Sequence, residues 1–269
     1  MYTPTEEMKA LERRVVKSND LIQKSRFNLS LQQQKIVLYL ISMITPYDEE
    51  FKLYEFSIQE FCRICGIETN SGKHYTTLKA AIKEIADKSL WIELEDEETL
   101  LRWIEKPYIN KRDGVIKIRL DEDMRPFLLQ LKDNFTSYEI IWTLHFKSKY
   151  TIRLYELIKS IHFHDLEEYT RDYTVENLRR LLGVKESYNT WQRLNDRVLS
   201  PAVREINENS DKIVIMTPIK KGRAYEKVKF TIKSKDSLEV AELRDKIMKE
   251  MGYEQLTLWD EITGAGQEL

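Results

Sequence analysis

Glycine and proline are scarce in this sequence. Its 269 residues include eight Gly and six Pro, roughly 5% together where average usage is about 12%. So few turn residues favour helices and short loops over a many-stranded sandwich. No three glycines spell G-x-G-x-x-G, which excludes a Rossmann dinucleotide site. Residues 66–74 come nearest to a phosphate-binding loop, but the loop is one residue too long, and His74 follows Lys73 where a Ser or Thr would hold magnesium, so we do not expect a nucleotide triphosphatase.

Long apolar runs and clusters of metal ligands are lacking as well. Charged residues make up 33% of the chain, and no apolar run approaches the roughly 20 residues of a membrane helix. The N-terminal sequence does not lead from basic residues into an apolar core, so we predict no signal peptide and a cytoplasmic location. Cys62 and Cys65 form one C-x-x-C without the second cluster that zinc needs, and we interpret them as buried apolar residues. We therefore predict neither a cofactor nor a metal site.

The overall charge is close to neutral, but it is unevenly distributed along the chain. Residues 1–146 carry 21 basic and 24 acidic side chains, residues 147–235 carry 19 and 12, and residues 236–269 carry 3 and 9. Clustered Lys and Arg attract a phosphate backbone. The basic middle region is therefore a candidate for nucleic-acid binding, and the acidic tail is a candidate for contact with a protein partner.

One long segment occurs twice in the sequence. F-S-I-Q-E-F-C-R-I-C-G-I at residues 56–67 matches Y-T-V-E-N-L-R-R-L-L-G-V at residues 173–184, at an offset of 117. Two further matches keep the same order: residues 36–39 with 152–155 and residues 81–85 with 202–206. This period is far longer than the roughly 20 to 50 residues of solenoid repeats, so the chain contains one domain twice.

Each copy contains the pattern of a helix-turn-helix. A hydroxyl residue, Ser57 or Thr174, precedes a short run with helical spacing of apolar residues, and the run ends at Gly66 or Gly183. A second amphipathic helix follows in each copy. Its apolar stripe is Leu78, Ile82 and Ile85 in the first copy, and Trp191, Leu194 and Val198 in the second.

A β-hairpin follows each helix pair, which completes the pattern of a winged helix. In the second copy, residues 213–216 and 228–232 flank the basic turn Lys220, Lys221, Gly222 and Arg223. In the first copy, a hairpin over residues 90–103 has an acidic tip at residues 95–98, which phosphate would repel. We predict an α+β, helix-rich fold of two tandem winged-helix domains. The second copy would be the main DNA reader, while the first adds its helix to DNA and its sheet meets protein.

In these features the chain resembles the plasmid replication initiators of theta-type, iteron-regulated replicons. The resemblance rests on V-V-K-S-N-D-L-I at residues 15–22, S-K-Y-T-I-R-L-Y-E-L-I at 148–158 and V-L-S-P-A-V-R-E-I-N at 198–207. It implies a bacterial, plasmid-encoded protein that binds repeated origin sites as a monomer, helps to open the origin, and recruits the host replication initiator and helicase. It also implies a homodimer, joined largely through the first domain, that binds an inverted repeat and represses its own gene, and so a part in plasmid copy control.

We divide the chain into four predicted parts. Residues 1–27 form an N-terminal arm, residues 28–143 the first winged-helix domain for dimerisation and auxiliary DNA contact, and residues 144–235 the second, the main DNA-binding domain. Residues 236–269 form an acidic tail that begins with a helical connector.

The candidate DNA-binding residues lie on the second helix of each copy and on the second wing. Arg suits a bidentate contact to guanine and Asn one to adenine, so we expect Asn189, Arg193 and Arg197 at bases or nearby phosphates. Lys185, Lys220, Lys221 and Arg223 suit phosphate. The other candidates on the second recognition helix are Ser187, Tyr188 and Thr190, and those on the first are Lys73, His74, Thr76, Thr77, Lys79 and Lys83. The alternative for each helix is a merely solvated charged face.

The tail contains a short docking motif. Residues 255–259 read Q-L-T-L-W, which resembles the bacterial sliding-clamp-binding peptide Q-L-[S/D]-L-F with Trp in place of Phe. Gln255 would bond a pocket rim, and Leu256, Leu258 and Trp259 would be apolar anchors. The alternative is a tail helix that packs on its own protein.

Two rival functions use other features of the sequence. A rolling-circle nickase would use His162 and His164 as metal ligands, but these residues extend an apolar helix and no Y-x-x-K follows. A winged-helix transcription repressor without a replication role would use the same DNA-contact residues. Because no acid and base pair or activated nucleophile stands out, we predict that the protein is not an enzyme and that binding energy opens the DNA.

Overall fold

The computed structural model describes residues 6–66, 74–110, 112–160, 167–184 and 186–253. The N-terminal arm comprises α1 (Glu6–Leu11), β1 (Arg14–Ser18), α2 (Asn19–Lys24) and β2 (Ser25–Arg26). Strand β1 pairs antiparallel with β8 (Phe135–Glu139), so the arm is built into the body of the protein.

The first winged-helix domain surrounds a core supplied by the stripes that the sequence predicts. Its elements are α3 (Leu31–Ile41), β3 (Tyr54–Ser57), α4 (Ile58–Ile64), α5 (His74–Asp87), β4 (Ser89–Glu93), β5 (Glu98–Arg102), β6 (Tyr108–Asn110), β7 (Val115–Ile118), α6 (Arg125–Leu128), β8 and α7 (Ile140–His145). A capping box starts α3, in which Ser30 and Gln33 each bond the other's backbone. Leu78, Ile82 and Ile85 of α5 are buried, as the helical spacing predicts.

Apart from β8, which pairs with β1 of the arm, the strands of the first copy belong to two sheets rather than one. The hairpin β4–β5 is present as predicted, but it pairs with β2 of the arm, in the order β2-β4-β5. The strand that precedes the helix pair, β3, pairs with β7 in the order β3-β7-β6. By strand pairing, the counterpart of the second wing is therefore β6–β7. The sequence matches did not reach the extra hairpin inserted in the first copy, which is why the acidic hairpin was expected in that position.

The second winged-helix domain has a single sheet. In the predicted division of the chain it comprises α8 (Lys149–Lys159), β9 (Glu168–Thr174), α9 (Val175–Leu181), α10 (Trp191–Leu194), a π-turn (Asn195–Leu199), α11 (Ser200–Asn209), β10 (Lys212–Lys221) and β11 (Ala224–Ser234). The strands are ordered β10-β11-β9. Gly66 and Gly183 end the first helix of their copies with φ of 67° and 57°, a left-handed conformation that favours glycine. The predicted fold of two tandem winged helices is confirmed.

The first part of the outer edge of β10 is covered by side chains from the helix before it and from the residue that ends that helix. The Asn207 side chain accepts from the Val214 amide at 2.6 Å and donates to the Val214 carbonyl at 3.0 Å. The Ser210 hydroxyl accepts from the Lys212 amide at 3.2 Å. The backbone N–H and C=O groups of alternate residues in a strand point to the same edge, so the backbone of Pro218 faces the same edge as that of Val214. Proline has no amide hydrogen to donate there.

A buried polar hub joins the arm, the first domain and α8. Lys17 and Tyr138 both donate to Glu156 Oε1 at 2.7 Å, and Arg153 lies 3.4 Å from Oε2. Each of these four side chains is at most 3% exposed. Arg153 also donates to the Leu181 carbonyl at 3.3 Å, which extends the hub to the end of α9. A buried charge is tolerated only when it is paired and hydrogen-bonded, so the hub fixes the arrangement of these elements.

The tail begins with α12 (Ser237–Glu250), which is helical as predicted but packs back on the first domain. Arg244 forms a two-pronged pair with Glu139 at 2.7 and 2.9 Å. Beyond the helix, the Arg63 guanidinium lies 4.5 Å from the Tyr253 ring centroid. Two side chains of α12, Ile247 and Met248, are buried. The sequence predicted only a connector here, because it does not reveal these partners more than 100 residues away. Within the ranges that the structure describes, no helix is long and apolar enough to span a bilayer.

Candidate nucleic-acid interface

The recognition helix of the second domain runs without a break from α10 through the π-turn to α11. Thr190 caps its start by accepting from the Arg193 amide at 3.3 Å. Leu194 and Val198 are buried, as predicted, while Trp191 is only half-buried. The exposed side chains of the first turns are Gln192, Arg193, Asp196 and Arg197. Arg193 and Arg197 therefore lie on the accessible face, as their predicted role requires.

The π-turn has a cause in the sequence. Pro201 has no amide hydrogen, so it cannot close the usual helical bond to the carbonyl of Arg197. Instead, the Ser200 amide donates to the Asn195 carbonyl, five residues back. The wider turn buries both Val198 and Leu199 and leaves Arg197 exposed.

Three predicted contact residues do not lie on the recognition helix. Ser187 and Tyr188 belong to a short 3-10 turn (Glu186–Tyr188), and Asn189 lies between this turn and the cap Thr190. The prediction that the helix includes them was wrong, because Tyr188 turns inward and packs against the core. Lys185 lies outside the described residues, and so do Lys73 and the peptide at 255–259. The side chains of Ser187 and His74 are not described either.

The wing is joined to the recognition helix by stacked side chains. The rings of Trp191 and Tyr225 stack with centroids 4.5 Å apart and an interplanar angle of 23°. On the wing, the Lys220 ammonium lies 4.8 Å from the centroid of the Tyr225 ring. The turn at Gly222 has a φ of 63°, which glycine adopts without strain. Helix and wing therefore form one surface.

The predicted basic tip of this wing is exposed. Lys220, Lys221 and Arg223 all lie at the solvent-exposed end of the hairpin β10–β11. Lys221 pairs with Glu226 at 3.2 Å, where the lysine is 79% exposed. An ion pair this exposed is weak, so the charge of Lys221 stays accessible to phosphate.

The first domain presents a polar rather than a basic surface on α5. Thr76, Thr77, Lys79 and Lys83 are exposed. Lys83 is paired with Asp87, and hydrogen bonding to that carboxylate raises the lysine pKa. Thr76 and Thr77 line a cleft of about 490 Å³ between α5 and the start of α3. Among the side chains that the structure describes, this surface has fewer accessible positive charges than the second wing.

The acidic hairpin of the first domain faces other protein groups. Glu93 lies 3.0 Å from Arg180 of α9, and Glu98 pairs with Arg26 of the arm. On the outer face of the same sheet, Trp91 and Leu100 stand opposite each other and are 46% and 51% exposed. A paired apolar patch of this kind suits contact with protein.

Cys62 and Cys65 are buried and unbridged, as interpreted from the sequence. Burial raises the pKa of Cys62 to about 11, so its thiol stays protonated at neutral pH. In the part of the chain that the structure describes, no group of three or more His, Cys, Asp or Glu side chains could hold a metal ion. His162 and His164 lie outside that part.

Sequence reasoning missed three residues of this interface. Gln192 is exposed beside Arg193, and the exposed side of the predicted helix could have revealed it. Tyr225 and Arg179 could not be found in this way, because their roles depend on contacts with Trp191 and with the backbone of residues 188–190. The Arg179 side chain bonds the backbone of residues 188–190, and no local pattern in the sequence signals this.

Comparisons with known proteins agree with this architecture. A family model described as "Initiator Replication protein, WH1" matches residues 14–159, and one described as "Initiator Rep protein, WH2" matches residues 174–232. A replication initiation protein from Escherichia coli is 23% identical over 246 residues, 88% of this chain and 75% of that protein. The solved structure of Pi initiator protein in complex with iteron DNA has a TM-score of 0.69 and 19% identity, and the match covers 84% of this chain and 99% of that one. The chain belongs to the family of replication initiator proteins, whose two winged-helix domains it contains.

Proposed function

We propose that this initiator binds repeated origin DNA, the iterons of a plasmid, as a monomer and thereby starts replication. The observation that carries the proposal is the joined surface of the second domain. An exposed helix face with Arg193 and Arg197 and a basic wing tip are linked there by the stack of Trp191 on Tyr225. The similar Pi initiator was solved in complex with iteron DNA, which supports this assignment.

We divide the proposed contact residues into those that contact bases and those that contact the phosphate backbone. Arg193, Arg197 and Gln192 can reach base edges from the helix in the major groove, and Asn189 lies just before its start. Lys220, Lys221 and Arg223 contact phosphate and carry no sequence information. The first domain adds a weaker contact through Thr76, Thr77 and Lys79. Lys185, Ser187, Thr190, Lys73, His74 and Lys83 complete the proposed set, whereas Tyr188 is left out because it packs against the core.

Footprinting of the purified protein on the DNA upstream of its own gene tests the proposal. We expect protection of direct repeats whose spacing is near a multiple of about 10.5 bp, because two linked domains then read one face of the duplex. Equal affinity for this DNA and for a scrambled duplex of the same composition would rule it out.

A dimer that represses its own gene would use the first domain. The exposed pair Trp91 and Leu100 lies on a sheet whose edge strand is β5, and this face is proposed to meet a second copy. Serine at both positions should lower the dimer fraction in sedimentation experiments. Leu53→Ser is the matched control, because Leu53 is similarly exposed at 43% but lies outside this sheet.

Recruitment of host replication proteins is proposed for the tail. Gln255, Leu256, Leu258 and Trp259 would bind the sliding clamp, and α12 delivers them from an anchor on the first domain at Tyr253. A pulldown by purified clamp should lose the protein when Leu258 and Trp259 are both changed to Ala. Unchanged capture would exclude this motif.

Initiation is proposed to proceed without catalysis and in the bacterial cytoplasm. Bending and opening of the origin would come from binding energy, at a cost of roughly 1 to 6 kcal/mol for the bend. Incubation of a supercoiled origin plasmid with magnesium or manganese should leave it intact. Nicking that disappears in His162→Ala would instead support a nickase.

A further inference from the structure

Arg179 lies in the last turn of α9 and reaches the loop that leads into the recognition helix. Its guanidinium donates to three consecutive carbonyl oxygens, those of Tyr188, Asn189 and Thr190. The distances to Asn189 O and Thr190 O are 2.9 and 3.1 Å. The last of the three residues is the helix cap. One planar group therefore holds the whole approach to the helix.

This arrangement depends on the geometry of arginine. The guanidinium presents five N–H donors in a rigid plane, whereas the lysine ammonium is a single point charge on a flexible stem. A lysine at position 179 would keep the positive charge but could not bond three successive carbonyls in the same way. Charge and geometry can thus be separated by one substitution.

Neighbouring positions show that this role is particular to Arg179. The next residue, Arg180, points elsewhere, to Asn177 and to Glu93 of the first domain. At the repeat offset of 117, the first copy has Cys62 in place of Arg179, and this cysteine is fully buried. The side chain that holds the approach to the recognition helix in the second copy thus has no counterpart at position 62 of the first.

We propose that Arg179 is a positioning residue for sequence recognition. By fixing residues 188–190, it sets where Asn189 and Arg193 meet the base edges, and it does so without touching a base itself. The inference rests on the proposed function, in which this helix reads DNA. The competing role for the same side chain is a phosphate contact made through its charge.

The test compares R179K and R179A with the wild type on an origin repeat and on a scrambled duplex, across a range of salt concentrations. The expected result is that both variants lose the preference for the repeat by about tenfold or more, the size of one lost base contact. Affinity for the scrambled duplex and the salt dependence should stay unchanged. Lys246→Ala, which removes an exposed charge on α12, is the control.

Two results would overturn the inference. If R179K keeps the wild-type preference while R179A weakens both duplexes and lowers the salt slope by about one, Arg179 is a phosphate contact. Amide hydrogen exchange in the free protein gives a second readout, and faster exchange of residues 188–194 is expected in both variants. Unchanged exchange there would also refute the positioning role. If the wild type itself shows no preference for the repeat, the proposed function fails instead.

Discussion

In the first winged-helix copy, α4 carries Cys62 and Arg63 at the positions where α9 of the second copy carries Arg179 and Arg180. Cys62 is packed in the core, and Arg63 holds the ring of Tyr253. In the second copy, one arginine holds the approach to the recognition helix and the other reaches Glu93. The same short helix therefore holds the start of the tail in one copy, and in the other it holds the approach to the proposed DNA-reading helix.

The largest effect is expected where the two copies are joined. Glu156→Gln leaves the buried charges of Lys17 and Arg153 without their carboxylate. Breaking a buried ion pair in this way costs about 3 to 5 kcal/mol. Urea unfolding should show a loss of this size. The matched control Glu242→Gln, on an exposed site of α12, should change little, and an equal loss in both would refute the role of the hub.

The hub also predicts how stability depends on pH. Burial raises the pKa of Glu156, but the attraction of Lys17 and Arg153 outweighs this and holds that pKa below its ordinary value. A carboxyl group whose pKa is lower in the folded than in the unfolded chain stabilises the fold at pH values above its unfolded pKa, which is about 4.3 for glutamate. This stabilisation is lost as the pH falls through the folded pKa. The difference in unfolding free energy between wild type and Glu156→Gln should therefore shrink on acidification. A difference that is constant with pH would contradict this.

The next largest effect is expected on DNA binding, where a substitution in the second copy should act differently from one in the first. Arg193→Ala should relax sequence preference at one base position, by about 1 to 3 kcal/mol, because a base contact is lost. Lys79→Ala in the first copy should change affinity less and equally for all sites. Affinities for a series of single-base variants of the repeat measure both. If Arg193→Ala binds the site variants with the same order of affinities as the wild type, Arg193 does not contact a base.

The two helix-ending glycines allow a matched comparison of stability. Gly66 and Gly183 both have positive φ, which costs an L-residue about 1 to 2 kcal/mol. A β-carbon at Gly66 would meet nothing within 4 Å, whereas one at Gly183 would lie 3.1 Å from the Phe27 carbonyl oxygen. Gly183→Ala should therefore destabilise more than Gly66→Ala in thermal unfolding. If Gly66→Ala destabilises the protein more than Gly183→Ala, the contact with the Phe27 carbonyl does not limit the turn at Gly183.

The smallest effect is expected at the wing tip. Lys221→Ala should weaken binding to all DNA alike and lower the salt slope by about one, because one phosphate contact disappears. Titrations at several salt concentrations measure the slope, with Lys246→Ala as the control. Loss of preference for one sequence would instead indicate a base contact.

The repeat, the capped helices and their apolar stripes were predictable because they depend on neighbours in sequence. Leu78, Ile82 and Ile85 show this, since their spacing alone assigns them to the core. The start of the second recognition helix was not predictable, because the inward packing of Tyr188 ends the pattern early. Contacts such as Arg244 with Glu139, 105 residues apart, leave no periodic signal. The same holds for the three carbonyls that Arg179 bonds.

The partly covered edge of β10 has a consequence for a protein that is proposed to gather on tandem repeats. Copies bound side by side reach a high local concentration, and an open strand edge would let neighbouring wings merge into one continuous sheet. Asn207 and Ser210 already bond the backbone of Val214 and the Lys212 amide on that edge, and Pro218 offers no amide hydrogen there. We therefore expect the wings of neighbouring copies to stay separate on crowded repeats, so that each copy can dissociate from the DNA by itself.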